Sequence, residues 1–391
     1  MQKVNIQNIF KKSLVVAALP FLAVSCNPLG GGSSSSGGLG VVKTTNGGAD
    51  WTFMVNAPAP ATKKKNAKIP VSPLSTSPVL GLRFSPESNQ KIYVATQGQG
   101  LFYSENSADS WKQVLTKFNA YDFAIDPTNP DHIFVAGQAN NQARVLASIN
   151  RGGSWEEIYN DVAAGNAARS VALDPSNPKT VVVGLGSGNL ITSSDGGATW
   201  ALLQNFQDPV TQLAWQKDRS LFILTRGKGL YVTQDGGKTI QNISKQLLNI
   251  DEWRQSLLNS ASGDKTTVAP IDVPQQQTTS FYKVAVGASN SQLLYIAANN
   301  GLFGSTDRGT TWQYMKLPLK STQITEVRGL ALADSDKLLY ASVGNTVFKT
   351  INGGSSWQVE AIATSGTINY ILVDPTLSQI AYIGLIPSQQ Q

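Results

Sequence analysis

The chain has few of the residues that build disulfide scaffolds and metal centres. Its 391 residues include one cysteine and one histidine. One cysteine cannot form an internal disulfide, and no Cys/His cluster is available for zinc. Charged residues make up only 14% of the chain, with a formal net charge of +6. Without Lys3, Lys11 and Lys12, which lie in a segment we expect to be removed, 28 basic residues face 25 acidic ones. We therefore predict no metal, no cofactor and no nucleic-acid partner.

The N-terminus has the pattern of a targeting segment. Three lysines precede the apolar run 13–24, which is too short to span a bilayer. The following segment, LAVSC (22–26), resembles a bacterial lipobox. That resemblance implies a signal peptide over 1–25 and lipidation of Cys26, and the Gly/Ser-rich stretch 26–40 then reads as a flexible tether. We expect an extracytoplasmic protein anchored to a bacterial membrane, in the periplasm or at the cell surface; an ordinary secretory signal is the alternative.

An eight-residue pattern, Ser/Thr-x-Asp/Asn-x-Gly-x-Ser/Thr-Trp, occurs seven times. The copies are 44–51, 104–111, 148–155, 193–200, 233–240, 305–312 and 350–357. Their third positions are Asn46, Asn106, Asn150, Asp195, Asp235, Asp307 and Asn352, and six end in a tryptophan: Trp51, Trp111, Trp155, Trp200, Trp312 and Trp357. We expect Asp or Asn to accept backbone hydrogen bonds across a turn, Gly to supply a positive φ, and Trp to pack between repeats. A repeat of this period predicts stacked supersecondary units.

Short strand patterns separated by turns precede most copies, which predicts four-stranded blades. The first copy has one strand before it (41–43), and two strands, near 370–373 and 380–385, follow the last copy. We therefore predict an all-β, seven-bladed propeller over 41–391, closed by pairing of N- and C-terminal strands in one blade. The innermost strands align as 80–84, 121–125, 169–173, 211–215, 282–286, 328–332 and 369–373, with Ala at the fourth position in five of seven.

The octamer resembles the Asp-box, or BNR repeat. That resemblance implies a relationship to sialidases, xyloglucan-degrading glycosidases, sortilin-type receptors, and the photosystem II assembly factors of cyanobacteria and chloroplasts. Sialidases of this kind need an arginine triad and typically begin with an Arg-Ile-Pro segment. No Arg-Ile-Pro segment occurs in this sequence, and its arginines are few and scattered. Xyloglucanases of this kind use a cleft between two tandem propellers and a pair of carboxylates. For that chemistry Asp122 and Glu326 are the strongest candidates.

The candidate binding face lies opposite the octamers, where the inner strands begin. It is predicted to hold Tyr121, Asp122, Arg169, Arg226, Lys228, Trp253, Tyr282, Lys283, Arg328 and Tyr370. Tyr and Arg are the residue types that anchor interfaces. Two insertions, 56–79 and 244–280, interrupt the period, and within the second 244–259 reads as an amphipathic helix with Trp253 on its apolar stripe.

From these features we expect a membrane-anchored, non-catalytic scaffold that binds an envelope protein. The alternative is a carbohydrate-binding protein or a divergent glycoside hydrolase, with a polysaccharide as partner.

Overall fold

The computed structural model describes residues 38–58, 70–249, 279–319, 326–333 and 336–388, all within the compact unit Ser36–Gln391. These residues form seven four-stranded antiparallel sheets. The prediction of a seven-bladed propeller is confirmed. The signal segment, Cys26 and Trp253 lie outside the described residues. Within the described part of the chain, no helix combines the length and the apolar character that crossing a membrane requires.

Each blade runs from an innermost to an outermost strand in chain order. Blade 1 has β3 (Val79–Ser85), β4 (Ser88–Thr96), β5 (Gly100–Ser104) and β6 (Lys112–Leu115). Blade 2 has β7 (Asn119–Ile125), β8 (Ile133–Ala139), β9 (Gln142–Ser148) and β10 (Glu156–Ala164). Blade 3 has β11 (Ala168–Asp174), β12 (Asn177–Leu185), β13 (Asn189–Ser193) and β14 (Ala201–Asn205).

The remaining blades follow the same order. Blade 4 has β15 (Val210–Trp215), β16 (Leu221–Thr225), β17 (Gly229–Thr233) and β18 (Gln241–Asn242). Blade 5 has β19 (Phe281–Val286), β20 (Leu294–Ala298), β21 (Gly301–Ser305) and β22 (Gln313–Met315). Blade 6 has β23 (Val327–Leu332), β24 (Leu339–Val343), β25 (Thr346–Thr350) and β26 (Gln358–Ala361).

Blade 7 is built from both ends of the described chain. Its order is β27 (Gly366–Val373), β28 (Ala381–Pro387), β1 (Gly40–Thr44) and β2 (Thr52–Phe53). Strand β1 pairs with β28 along its whole length, with Val42 opposite Ile383. Both of these side chains are fully buried. The predicted closure is therefore confirmed, and it removes the open sheet edges that would otherwise template pairing with other chains.

The octamers form the turns between the third and fourth strands of the blades. In every copy the fourth and fifth residues have positive φ, including Ala108 at 74°. In every copy the third-position Oδ1 accepts a hydrogen bond from the backbone N–H of the seventh residue, as in Thr199 N to Asp195 Oδ1 at 2.9 Å. The first-position hydroxyl also accepts from the fifth N–H, as in Gly197 N to Ser193 Oγ at 2.8 Å. The whole turn is thus closed by its own side chains.

The tryptophans of the octamers join neighbouring blades, but not all in the same way. Four indole N–H groups donate to carbonyls of the preceding blade or of the segment beside it: Trp111 to Met54, Trp155 to Val114, Trp200 to Ile158 and Trp312 to Ile243. Trp51 instead donates to Gly48 of its own turn, and the buried Nε1 of Trp357 has no hydrogen-bond partner among the described residues. Ile240 replaces Trp in the remaining copy, so the seven contacts between neighbouring blades at this position are not equivalent.

The two insertions are only partly described. Residues 56–58 and 70–79 include a bridge between Asn56 and Val71 and a 3-10 helix at Pro73–Thr76. The start of the predicted 244–259 helix is a 3-10 turn at Lys245–Leu247, with Leu247 fully buried. Residues 250–278, where the rest of that prediction falls, lie outside the described residues.

Candidate functional site at the channel entrance

Every inner strand carries a β-bulge at the same place, close to its first residue. One extra residue is left unpaired in six blades: Leu80, Tyr121, Arg169, Thr211, Tyr282 and Asn369. In blade 6 the shift spans Arg328 and Gly329. A bulge re-aims the side chain of its strand. Because the octamers occupy the opposite ends of the blades, the seven bulges define one entrance to the central channel.

Arginines and tyrosines from neighbouring blades converge at this entrance. The Arg169 guanidinium lies 4.5 Å from the centroid of the Tyr121 ring. Tyr282 is contacted from both sides of its blade, by Arg226 at 5.6 Å and by Arg328 at 4.7 Å. Such contacts contribute about 0.5–1 kcal/mol each at exposed sites and fix the direction of the guanidinium groups. The contacts form two groups, one around each tyrosine, and the Arg169 charge also acts on Arg226 of the other group. We call these five side chains the entrance cluster.

One carboxylate belongs to this cluster. Glu326 lies 2.7 Å from Arg328 Nη2, and it shares a hydrogen bond with the Tyr282 side chain. Desolvation raises the pKa of Tyr282 to about 12, and the Glu326 carboxylate contributes in the same direction. The tyrosine is consequently a neutral hydrogen-bond donor at physiological pH. Glu326 retains 30% side-chain exposure, so its carboxylate is open to a ligand.

The positive charges of the cluster are close enough to influence one another. Crowding by protein atoms lowers the pKa of Arg226, although its side chain is exposed, and the Arg169 and Arg328 charges lower it further. Within the described part of the chain, neither Arg169 nor Arg226 forms an ion pair with a carboxylate. Among the described residues, Glu326 pairs directly with Arg328, and the Asp208 charge acts on Arg226 more weakly than the two neighbouring arginines do. The entrance therefore keeps an excess of positive charge.

A second polar layer lies deeper in the channel. Arg83 Nη2 donates to Asp122 Oδ1 at 2.6 Å, and the Val171 N–H donates to the other oxygen at 3.1 Å. The Lys283 ammonium lies 4.5 Å from the Tyr370 ring centroid. Desolvation lowers the pKa of Lys283 to about 8, with the nearby Asp122 charge opposing that shift. The groups of this layer come from five blades, 1, 2, 3, 5 and 7.

Most of the predicted face is brought together, and some of it is not. Tyr121, Arg169, Arg226, Tyr282 and Arg328 form the entrance cluster, and Asp122, Lys283 and Tyr370 lie in the deeper layer. Lys228 is held elsewhere: its ammonium donates to the Phe206 carbonyl at 2.9 Å, just after strand β14. Two groups are added to the predicted face, Arg83 beside Asp122 and Glu326 beside Arg328.

The arginines of the cluster are far apart in the sequence, and they become neighbours only because the propeller brings different blades together around its channel. Arg169 and Arg328 occupy equivalent bulge positions in blades 3 and 6, and Arg226 reaches the same entrance from a hairpin loop of blade 4. The alignment of inner strands does place Arg169 and Arg328 in one column. The described residues contain no group of three His, Cys, Asp or Glu side chains placed to hold a metal ion.

Comparison with known proteins links the fold to carbohydrate-active enzymes. Residues 128–271 match the family described as the DUF6242 β-propeller domain. A xyloglucanase from a Paenibacillus species is 24% identical over 60% of this chain and 31% of that enzyme, and xyloglucanase Xgh74A of Acetivibrio thermocellus is 24% identical over 60% and 30%. This chain thus spans about a third of the length of the curated relatives it matches.

Solved structures with the same fold include a xyloglucanase and a YCF48 protein. The GH74 xyloglucanase from Xanthomonas campestris aligns with a TM-score of 0.61 at 16% identity, covering 79% of this chain and 51% of that one. YCF48 from Cyanidioschyzon merolae aligns with a TM-score of 0.56 at 11% identity, covering 79% and 95%. At these identities the structural likeness shows a shared propeller fold.

The sequence relatives correct one expectation. The prediction of a non-catalytic scaffold that binds an envelope protein is wrong, because the curated relatives are named as xyloglucanases. They favour the alternative of a carbohydrate-binding protein or divergent glycoside hydrolase. The error has a physical reason. Few carboxylates lie outside the turns and octamers, and the sequence alone does not show whether any two of them face each other in the channel, so a non-catalytic scaffold was expected.

Proposed function

We propose that this protein is a carbohydrate-active propeller that engages a polysaccharide at the channel entrance and acts as a divergent glycoside hydrolase. The observation that carries the proposal is the similarity to xyloglucanases over 60% of the chain. Because that similarity spans only about a third of those enzymes, hydrolysis by this chain is itself part of the proposal.

The channel provides two carboxylates in different environments, Glu326 at the entrance and Asp122 in the deeper layer, and hydrolysis of a glycosidic bond uses a pair of carboxyl groups. Asp122 accepts hydrogen bonds on both oxygens, from Arg83 and from the Val171 N–H, and is buried. The two donors hold the Asp122 carboxylate in a fixed orientation inside the channel. Glu326 is the more exposed group and is positioned beside Arg328 and Tyr282. We assign Glu326 the proton-transfer role and Asp122 the electrostatic role.

The test is release of reducing sugar from xyloglucan and from other β-linked glucans by the purified protein. Glu326→Gln keeps the size of the side chain and removes its proton chemistry, so activity should fall by about 100-fold or more. Gln234→Glu, on an octamer turn at the opposite face, adds a carboxylate away from the entrance and serves as control. Equal activity of Glu326→Gln and the unaltered protein would refute the assignment. Failure to bind or cleave any polysaccharide would refute the function.

We also propose that octamer turns of the Asp-box type hold the blades and that the chain is lipid-anchored through Cys26. The side-chain hydrogen bonds that close all seven turns support the first part. The lipobox-like segment 22–26 supports the second. Incorporation of labelled palmitate into the expressed protein, and its loss in Cys26→Ser, tests the anchor. A Cys26→Ser protein that still partitions with membranes and still carries label would contradict it.

A further inference from the structure

We infer that the entrance cluster recognises a carboxylate-bearing sugar, so the polysaccharide is an acidic one that contains uronate residues. This inference rests on the proposed function and narrows its substrate class. Three guanidinium groups, Arg169, Arg226 and Arg328, point into one entrance from three different blades. Planar guanidinium groups match the geometry of a carboxylate and bind it through paired N–H donors.

The charge balance of the cluster is the first support. Like charges at short range repel each other unless an anion is present. Only Arg328 is paired, with Glu326, whereas Arg169 and Arg226 have no ion pair with a carboxylate of the described residues. Both of these arginines are exposed. Their N–H donors are therefore available to an incoming anion.

The tyrosine rings supply the second support. A neutral sugar usually lies flat on an open aromatic face. At this entrance a face of Tyr121 is covered by Arg169, and Tyr282 is contacted by both Arg226 and Arg328. The rings therefore serve as supports that hold the guanidinium groups in place. A site preorganised in this way loses less conformational entropy when a ligand binds.

The position of the cluster supplies the third support. Tyr121, Arg169 and Tyr282 are the unpaired residues of β-bulges, and Arg328 lies within the equivalent shift of blade 6. The other bulge residues are Leu80, Thr211 and Asn369, which carry no charge. The arginine and tyrosine bulge residues thus lie in blades 2, 3, 5 and 6, and the bulge residues of blades 1, 4 and 7 are neither arginine nor tyrosine. One anionic substituent of a larger, mostly neutral chain fits this arrangement.

The experiment uses two probes that differ only in charge: polygalacturonate and its fully methyl-esterified form. Affinity of the full chain for each is measured by affinity electrophoresis and calorimetry, with neutral xyloglucan alongside. The acid form should bind at least about 10-fold more tightly than the ester, and its affinity should fall as NaCl rises. Arg169→Gln and Arg226→Gln should each weaken the acid form about 10-fold and leave the ester unchanged.

Matched controls distinguish failure of the acidic-sugar inference from failure of the proposed function. Lys238→Ala removes one positive charge from an exposed octamer turn at the opposite face and should change nothing. Equal binding of acid, ester and xyloglucan, unaffected by the arginine variants, overturns this inference and leaves the proposed function standing. Binding of poly-glutamate as tight as that of polygalacturonate overturns it in favour of an acidic peptide. Absence of binding to every polysaccharide overturns both proposals.

Discussion

The tryptophans that join neighbouring blades differ in their hydrogen bonding. We therefore predict that the same substitution, Trp to Phe, lowers the free energy of unfolding by different amounts at two of them. Trp155 and Trp357 both occupy the last position of an octamer, and both are partly buried. The Trp155 indole N–H donates to the Val114 carbonyl at 2.8 Å, whereas the buried Nε1 of Trp357 has no partner within the part of the chain that the structure describes. Replacing each residue by Phe removes the N–H and a similar apolar volume. The difference between the two variants therefore reports the hydrogen bond.

The size of the difference in unfolding free energy depends on whether each substitution breaks a hydrogen bond or removes an unpaired donor. Trp155→Phe loses a hydrogen bond and leaves a carbonyl less well satisfied, at a cost of about 1–3 kcal/mol beyond the lost packing. Trp357→Phe removes a buried donor that has no partner, which offsets part of its packing loss. Trp155→Phe should therefore be less stable than Trp357→Phe by at least about 1 kcal/mol.

Urea unfolding followed by circular dichroism measures this difference. The midpoint should shift to a lower urea concentration for Trp155→Phe than for Trp357→Phe, with similar slopes, since a changed slope signals a changed unfolded or native state. Equal midpoints, or a larger loss in Trp357→Phe, would refute this account of the contacts between neighbouring blades.

Three further predictions follow. Hydrogen bonds within the octamer turns lower the pKa of Asp195 and Asp235 to about 2; their contribution to stability is complete above about pH 4 and is lost as the pH falls towards 2. Exchanging both for Asn, the residue already present in four copies, should flatten the loss of thermal stability between pH 4 and 2, and an unchanged profile would contradict this. Ala108 adopts φ 74°, so Ala108→Gly should raise stability by about 0.5–1 kcal/mol in urea unfolding; a loss of stability would show that the turn is not strained. Gly197→Ala places a Cβ 2.5 Å from Ile158 Cδ1 at φ 101°, so it should lower the thermal midpoint by several degrees, whereas Gly196→Ala, with open space around its Cβ, should cost less.

The propeller could be predicted because each octamer marks one blade. One strand precedes the first octamer and two strands follow the last one, so together they complete one blade. This count predicted that β1 pairs with β28. The role of the first-position Ser or Thr was not predicted, since its bond to the fifth N–H depends on two successive residues with positive φ. Ala108 and Arg151 have a positive φ although they are not glycine. The residue type alone does not predict this conformation.

The candidate site was predictable only in part. The alignment of inner strands identified Tyr121, Arg169, Tyr282 and Arg328, but not that a bulge at each of these positions directs them to the entrance. Arg226 and Glu326 join the cluster from a loop and from the residue before β23, so their partners depend on neighbouring blades. Lys228 was also predicted on this face, and its contact with Phe206 of blade 3 likewise depends on a neighbouring blade.

Carboxylate function at the entrance is the central claim, and a polysaccharide digestion assay on Glu326→Gln and the unaltered protein tests it most directly. The assay would measure reducing ends released from neutral xyloglucan and from a uronate-bearing glucan over time. The account predicts cleavage of at least one of them by the unaltered protein and a loss of about 100-fold or more in Glu326→Gln. Cleavage that survives the substitution, or no cleavage and no binding by the unaltered protein, would contradict it.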